Sequence, residues 1–497
     1  MFFPLTRVSS TVLRGVKNHT LPLTRVSERV SERISSLTLV STPVASFSST
    51  PSPASTPEDL IFESSFLQTL QTRGYLHQCT DYNALDKKLN IKEGEKPIAA
   101  YLGFDATAKS LHVGSLVQIM LLRHLQKCGH KPIILVGGGT TKVGDPSGKD
   151  ESRSMLSDED IQDNIDHITR IFEKYLSIGD GPTDAVIVNN AEWLDSINYL
   201  EFLRNYGPFF TINRMLSFES VKQRLDREQP LTFLEFNYML LQAYDFLELY
   251  RSPYKVQVQI GGSDQWGNII NGIELARKCQ KVQLYGITAP LITNSAGKKM
   301  GKSASGAVWL DKDLLSEFEY WQFWRNTPDS DVERFLYLFT ELPAADIKKL
   351  MAENGGAALN GVKVILADEV TRLLHGDDCL TAIHQTARSL FESSSGEGGL
   401  DSLERVTIKL SDSNMIDGMN SISIVDILLS CKFASSKADA KRQIIAGSIR
   451  IDNEKCTNPK AMYDLKAGKE GGITTNGRQM KVSSGKKKHV VVVVEAL

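Results

Sequence analysis

A chain of 497 residues has room for roughly two to four domains of ordinary size. With 41% hydrophobic and 23% charged residues it has globular composition, which excludes a mainly disordered, fibrous or collagen-like protein. The net charge of −2 hides an uneven spread: +4 over residues 1–57, −14 over 58–430 and +8 over 431–497.

The first segment reads as an address and a joint. Residues 1–57 hold twelve serines and six basic residues, with no acidic residue before Glu28. Ser-rich, Arg-bearing and acid-poor is the signature of an organellar transit peptide. Leu21-Pro22-Leu23-Thr24-Arg25 interrupts any secretory core, and Ser41–Pro57 is a Ser/Thr/Pro-rich joint. The expected destination is the mitochondrial matrix, with a plastid as the alternative; a tail with no address is the bland reading.

From residue 58 the pattern is globular. Ile98–Phe104 reads as a buried strand, Leu116–Gln126 as a helix with Gly129 at its cap, and Pro132–Val136 as a second strand running into Gly137-Gly138-Gly139. Strand, helix and strand make a βαβ unit, so the expected fold is α/β with a Rossmann-like, doubly wound parallel sheet. Ligands in such sheets bind beyond the carboxyl ends of strands, here after Leu102, Val136 and Ile260. Glu235–Leu249 is a helix. Lys255–Ile260 alternates, with Val256, Val258 and Ile260 on one face and Gln257 and Gln259 on the other. Amphipathic helices such as Val332–Phe339 and Val362–Leu374 follow. Glu392–Leu400 is a Ser/Gly-rich linker, and Ser421–Ser430, Ala438–Ala446 and the strand Ser448–Asp452 form a small basic α/β module. The expected domains are 58–325, 326–400 (all-α) and 401–497. Apolar stretches such as Ile119–Leu125 break well before the ~18 residues of a membrane span, so no membrane partner is expected. The six cysteines form no Cys-x-x-Cys pair, which fits a reducing compartment and suggests no metal site.

Five clusters carry chemistry. In Tyr101–Ser115 a strand ends, a turn follows and a helix starts near His112. The free N–H groups and positive end of that helix can hold phosphates. His112 and Ser115 share its first turn, and Gly103 and Gly114 allow a base or ribose to approach. His112 as a plain cap is the alternative. Gly144-Asp145-Pro146-Ser147-Gly148-Lys149, followed by Arg153, is turn chemistry placed where a ligand loop would lie. Lys299-Met300-Gly301-Lys302-Ser303 resembles a phosphate loop but has Ala296 where that motif needs Gly; two lysines on a loop can still clamp a polyphosphate. Tyr238, Gln242 and Asp245 fall on one stripe of an apolar helix, so they pair internally or meet a polar ligand. Gly261–Asn268 follows a strand directly.

In order and content the five resemble the bacterial-type tyrosyl-tRNA synthetases, class I aminoacyl-tRNA synthetases with organellar members. The resemblance covers about residues 60–497. His112-Val113-Gly114-Ser115 is similar to the HIGH signature and Lys299-Met300-Gly301-Lys302-Ser303 to KMSKS, while residues near 421–490 look like an S4-type RNA-binding module. Two positions depart: Ser115 stands where His is usual, leaving its contact to ATP open, and Gly301 stands where Ser is usual, which suggests a more flexible loop.

The resemblance implies a tyrosine–tRNA ligase. Tyrosine carboxylate attacks the α-phosphate of ATP, expelling pyrophosphate, and the tyrosyl group then passes to the 2′-hydroxyl of the terminal adenosine of tRNA(Tyr). The carboxylate is ionised at neutral pH, so alignment and charge stabilisation carry the first step. His112, Lys299, Lys302 and Ser303, with Lys149 and Arg153, are the implied catalytic groups, and Ser115 stands with them. Tyr101 and Asp245 are assigned to the phenol, Asp145, Tyr238 and Gln242 to the α-ammonium, and Gln259 to orienting that pocket. Gly103, Asp105, Thr107, His112, Gly114, Gly261, Asp264, Gln265 and Lys302 are implied ATP contacts. Mg²⁺ accompanies ATP, no organic cofactor is implied, and a homodimer is expected. A tryptophanyl-type synthetase and a non-catalytic RNA-binding protein are the alternatives. Tyr101 and Asp245 disfavour the first, because indole offers one donor only; the complete site disfavours the second.

Overall fold

The structure is a computed structural model that describes residues 60–147, 155–293, 300–303, 306–391, 403, 405–409, 415–416, 419–452, 454–464, 479–485 and 488–495, with the side chains of Lys302 and Ser303 outside the description. The expected leader and the linker Glu392–Leu400 lie outside the described residues.

Six strands form the central sheet: β1 (Gln78–Cys79), β2 (Ala99–Phe104), β3 (Lys131–Val136), β4 (Val186–Asn189), β5 (Val258–Gly262) and β6 (Tyr285–Ala289). Their order is β1-β6-β5-β2-β3-β4. All neighbours are parallel except β1, which pairs antiparallel with β6. The chain steps from β2 outward to β3 and β4, then returns to place β5 on the other side of β2. That reversal opens a crevice beyond the carboxyl ends of β2 and β5.

The alternation of side chains along β2 feeds two cores. Ala100, Leu102 and Phe104 join Ile134 and Val136 under the helices Val113–Lys127 and Asp158–Tyr175. Ala99 and Tyr101 join Ile133 and Leu135 under the helices Phe233–Arg251 and Trp266–Gln280. A strand buried on both faces needs apolar residues at every position, which is why β3 reads Pro-Ile-Ile-Leu-Val. Capping boxes start two of the covering helices: Ser157 with Asp160, and Thr232 with Glu235, each exchanging side-chain and backbone hydrogen bonds.

The strand expected over Lys255–Ile260 starts three residues later and reaches Gly262. Lys255 has φ +51°, and its N–H donates to Ser252 O, so the chain is still turning there. The alternation seen in the sequence is not an in/out pattern, since Val258, Gln259 and Ile260 are all buried between β2 and β6.

Helices Glu317–Arg325, Val332–Phe339, Ala344–Glu353, Leu359–His375 and Asp378–Phe391 follow the sheet. Trp321 Nε1 donates to Asp368 across two of them at 2.7 Å. A polar staple fixes this layer to the sheet side. Arg73 donates to the carbonyls of Tyr337, Thr340 and Leu342, and Glu341 accepts from Arg123 Nε at 2.6 Å. A second sheet of five strands, ordered Glu454–Cys456, Ile449–Ile451, Gln479–Ser484, Lys488–Glu495 and Arg405–Lys409, packs on helices Ile424–Ser430 and Lys437–Ile445. Leu403 and Val491, on this second sheet's side, pack into the first core.

Candidate active site

The crevice at the ends of β2 and β5 is a cavity of ≈ 300 Å³. Tyr101, Gly103, Asp105, Thr107, His112 and Ser115 line it from β2 and the turn after it. Asp145, Tyr238, Gln242, Asp245, Gln259, Gly261, Asp264 and Gln265 line the rest. Clusters scattered over some 165 residues of chain therefore meet at one place. Lys149, Arg153 and Lys299 lie outside the described residues. The backbone of Lys302 and Ser303 forms a short antiparallel pair with Ala307 and Gly306.

One end of the cavity is built around a buried carboxylate. Asp245 is 1% exposed, and it accepts from Asn190 Nδ2 at 3.0 Å and Trp193 Nε1 at 2.8 Å. Burial pushes its pKa up to about 7; the bonds from Asn190 and Trp193 pull the other way, while Asp105 and Glu248 add to the rise. The Tyr101 hydroxyl is buried with no hydrogen-bond partner among the described residues, and burial, then the charge of Asp245, raise its pKa well above the usual phenol value. Gln259 Oε1 is likewise buried without a partner. Orphaned polar atoms on the wall of a cavity are sites a polar ligand would satisfy.

The rest of the wall is acidic and hydrogen-bonded. Tyr238 OH donates to Asp105 Oδ1 at 3.2 Å. Gln265 Nε2 donates to Asp145 Oδ2 at 2.8 Å, and Asn268 Nδ2 to Gln242 Oε1 at 2.8 Å. Asp145 also accepts from the Ser147 N–H at 2.9 Å, with Gly144 at φ +89°, so the Gly-Asp-Pro-Ser segment is a turn and a cavity wall together. Four carboxylates (Asp105, Asp145, Asp245 and Asp264) suit a cationic group.

The start of helix Val113–Lys127 differs from expectation. Its first-turn N–H groups already carry hydrogen bonds within the chain. The Val113 N–H donates to Val308 O, that of Ser115 to His112 O, and that of Gly114 to His112 Nδ1 at 3.0 Å. His112 is thus the N-cap of this helix. Gly114 is also needed for a close approach within the chain. A Cβ there would stand 2.8 Å from Met300 O and 2.7 Å from His112 Cε1. At Gly103 a Cβ would meet only Leu135 at 3.8 Å, so no protein contact demands that glycine.

Asn190, Trp193, Thr140, Gln118 and Trp309 also belong to the site and were not singled out in the sequence, whereas Asn268, the last residue of the Gly261–Asn268 cluster, was. The signal available for the first two was position: Asn190 directly follows β4, at the carboxyl end of a parallel strand.

Residues 92–392 match the family model for class I tRNA synthetases (W and Y). A tyrosine–tRNA ligase of Zymomonas mobilis is 52% identical over 431 residues, spanning 87% of this chain and 98% of that protein. One from Brucella abortus is 48% identical over 431 residues, spanning 87% and 99%. A C-terminally truncated mitochondrial tyrosyl-tRNA synthetase of Aspergillus nidulans matches in structure with TM-score 0.58 at 32% identity, covering 66% of this chain and 94% of that one. The parallel sheet, its crevice and these matches define a class I tRNA synthetase of the tryptophan and tyrosine type. Within that class the chain belongs to the tyrosine–tRNA ligases.

Proposed function

We propose that the chain activates L-tyrosine with ATP and transfers it to tRNA(Tyr). The observation that carries this reading is one stretch of the cavity wall, where Tyr101 offers an unused hydroxyl and Asp245 a buried carboxylate. A phenol is one donor and one acceptor. Its O–H can donate to Asp245 while its oxygen accepts from Tyr101. Indole would leave Tyr101 without an acceptor. Asp145, Tyr238 and Gln242 then hold the α-ammonium.

On the ATP side we assign Asp105, Thr107, Asp264 and Gln265 to adenosine. His112, Lys302 and the neighbouring lysines take the charge that develops on pyrophosphate. The attacking carboxylate needs no base, so alignment and charge stabilisation suffice. Among the described residues no three His, Cys, Asp or Glu side chains gather as a metal cage. Mg²⁺ would enter on the phosphates of ATP.

Three further readings extend this one. The helical layer and the basic module take the tRNA, the module in the manner of an S4 domain. Two copies associate as a homodimer, for which exposed apolar side chains such as Leu200, Ile212 and Phe233, 74%, 59% and 71% exposed, are candidate contacts. The acid-poor leader directs the chain to the mitochondrial matrix. ATP–pyrophosphate exchange driven by tyrosine and not by tryptophan is the decisive measurement; exchange with tryptophan alone would overturn the assignment. Light scattering tests the dimer, and a fusion of residues 1–57 to a reporter tests the address.

A further inference from the structure

The two ends of the cavity are joined by an unbroken chain of hydrogen bonds. Asn190 Nδ2 donates one hydrogen to Asp245 Oδ2 and one to Thr140 Oγ1, each at 3.0 Å. Thr140 Oγ1 donates to Asp105 Oδ1, also at 3.0 Å. Asp105 Oδ1 in turn accepts from Tyr238. The direction of each bond is fixed. Asn190 is fully buried, and its carbonyl oxygen accepts from the Gly139 and Thr140 N–H groups at 2.8 and 3.4 Å. Its amide hydrogens therefore point to Asp245 and Thr140. A hydroxyl that accepts from Asn190 has one proton left, and a carboxylate is its acceptor. The approach is sterically specified too: a Cβ on Gly137 would stand 2.5 Å from both Asp105 Oδ1 and Thr140 Oγ1. The glycine run after β3 thus makes room for this contact.

We propose that Thr140 is a positioning residue that couples recognition of the substrate hydroxyl at Asp245 to the orientation of Asp105 at the other end of the site. The proposal rests on the reading that the cavity takes L-tyrosine. In a buried, low-dielectric chain, neighbouring hydrogen bonds polarise one another. A phenol donating to Asp245 draws charge from that carboxylate and loosens its hold on Asn190. Asn190 then donates more strongly to Thr140, and Thr140 to Asp105. Phenylalanine sends no such signal.

The test uses the full chain carrying Thr140→Val, which keeps the shape and removes the hydroxyl, and Thr140→Ser, which keeps the hydroxyl. kcat/KM for ATP–pyrophosphate exchange is measured with tyrosine and with phenylalanine. Thr140→Val should lower the tyrosine value ~10–100-fold, the scale of one hydrogen bond to a charged group, and the phenylalanine value by less. Thr140→Ser should keep the wild-type ratio. A merely structural defect lowers both substrates alike. An unchanged ratio in Thr140→Val overturns the proposal, and so does a narrowed ratio in Thr140→Ser. If the Val variant does not fold, Thr140→Ala removes the same hydroxyl and replaces it. Failure of the wild-type chain to exchange with tyrosine would instead overturn the reading of the cavity.

Discussion

Gly301 lies against His112: with φ +119°, a Cβ at position 301 would stand 2.9 Å from Nδ1 of the imidazole. The same nitrogen accepts the Gly114 N–H. The loop bearing Lys302 and the cap of helix Val113–Lys127 thus meet through two glycines, and backbone bonds from Val113 to Val308 O and from Leu310 to Leu111 O hold the contact. Glycine at 301 serves a close approach and a left-handed backbone, where the sequence suggested only looseness.

Gly301→Ala should therefore push the loop off His112. Strain of this kind is worth ~1–3 kcal/mol, or about 10–100-fold in rate. The loss should fall on exchange, with tyrosine affinity unchanged. Equal loss of tyrosine binding by titration would show that the loop supports the whole cavity.

Tyr101→Phe should narrow the tyrosine/phenylalanine ratio by ~10-fold, because the unused hydroxyl of Tyr101 gains a partner only when a phenol enters. Specificity constants for both amino acids decide it, and an unaltered ratio rejects Tyr101 as a phenol contact.

Asp245 gives a pH signature. Its folded pKa of about 7 lies above the ordinary 3.8, so the folded chain binds this proton more tightly than the unfolded one. The resulting stability is fully present below about 3.8 and lost as pH rises through about 7. Asp105 and Glu248 face the same group and add to the rise, while the neighbouring Tyr101 phenol is itself held well above its usual value by burial and then by the charge of Asp245. Melting of the ligand-free wild type should improve relative to Asp245→Asn as pH falls from 8 to 6. Parallel melting curves would show that Asp245 is ionised throughout.

How far the sequence carries this site depends on the kind of signal. Stretches with strong periodicity, such as Ile98–Phe104 and Val332–Phe339, state their own structure, and the latter helix has those bounds in the fold. Residues within dense polar motifs, such as Asp145 and Gln265, declare themselves as well. Asn190 and Trp193 do not. They follow a strand of four half-buried residues, Val186–Asn189, and Asn after a strand is ordinary loop chemistry. Only the packing of β4 beside β3 shows that they reach Asp245. The staple at Glu341 was equally silent, since Arg123 and Glu341 are 218 positions apart.

That staple predicts an acid-sensitive junction. Burial pushes the Glu341 pKa up, but Arg123 and Lys127 outweigh it and hold it at about 2. A lowered carboxylate pKa contributes stability above the ordinary 4.5 that is lost as pH falls through about 2. Glu341→Gln should cost about 1–3 kcal/mol at neutral pH, and the gap to wild type should close in acid. Denaturant melts at pH 7 and pH 3 check this; a constant gap rules out the ion pair as its source.

The basic end allows the sharpest separation of the two reaction steps. Every residue lining the cavity lies between 101 and 309, so adenylate formation asks nothing of the last hundred residues. A body of charge −14 repels tRNA on average, while residues 431–497 carry +8. Lys432, Lys437, Lys441, Arg442 and Arg450 are all exposed on or beside helix Lys437–Ile445 and strand Ile449–Ile451. Phosphate contacts dominate nucleic-acid affinity and weaken steeply with salt. Yet Leu403, Val491 and Val493 pack on the first core, so the module is also seated on the body. Truncation after residue 398 should therefore lower the melting temperature modestly and spare tyrosine-dependent exchange. It should weaken tRNA charging and flatten its salt dependence. Both steps can be followed on full and truncated chains between low and moderate salt. If exchange collapses with charging, the seat formed by Leu403 and Val491 matters more than the basic surface. If charging is untouched, the helices between 326 and 391 hold the tRNA, and the charge asymmetry has another purpose.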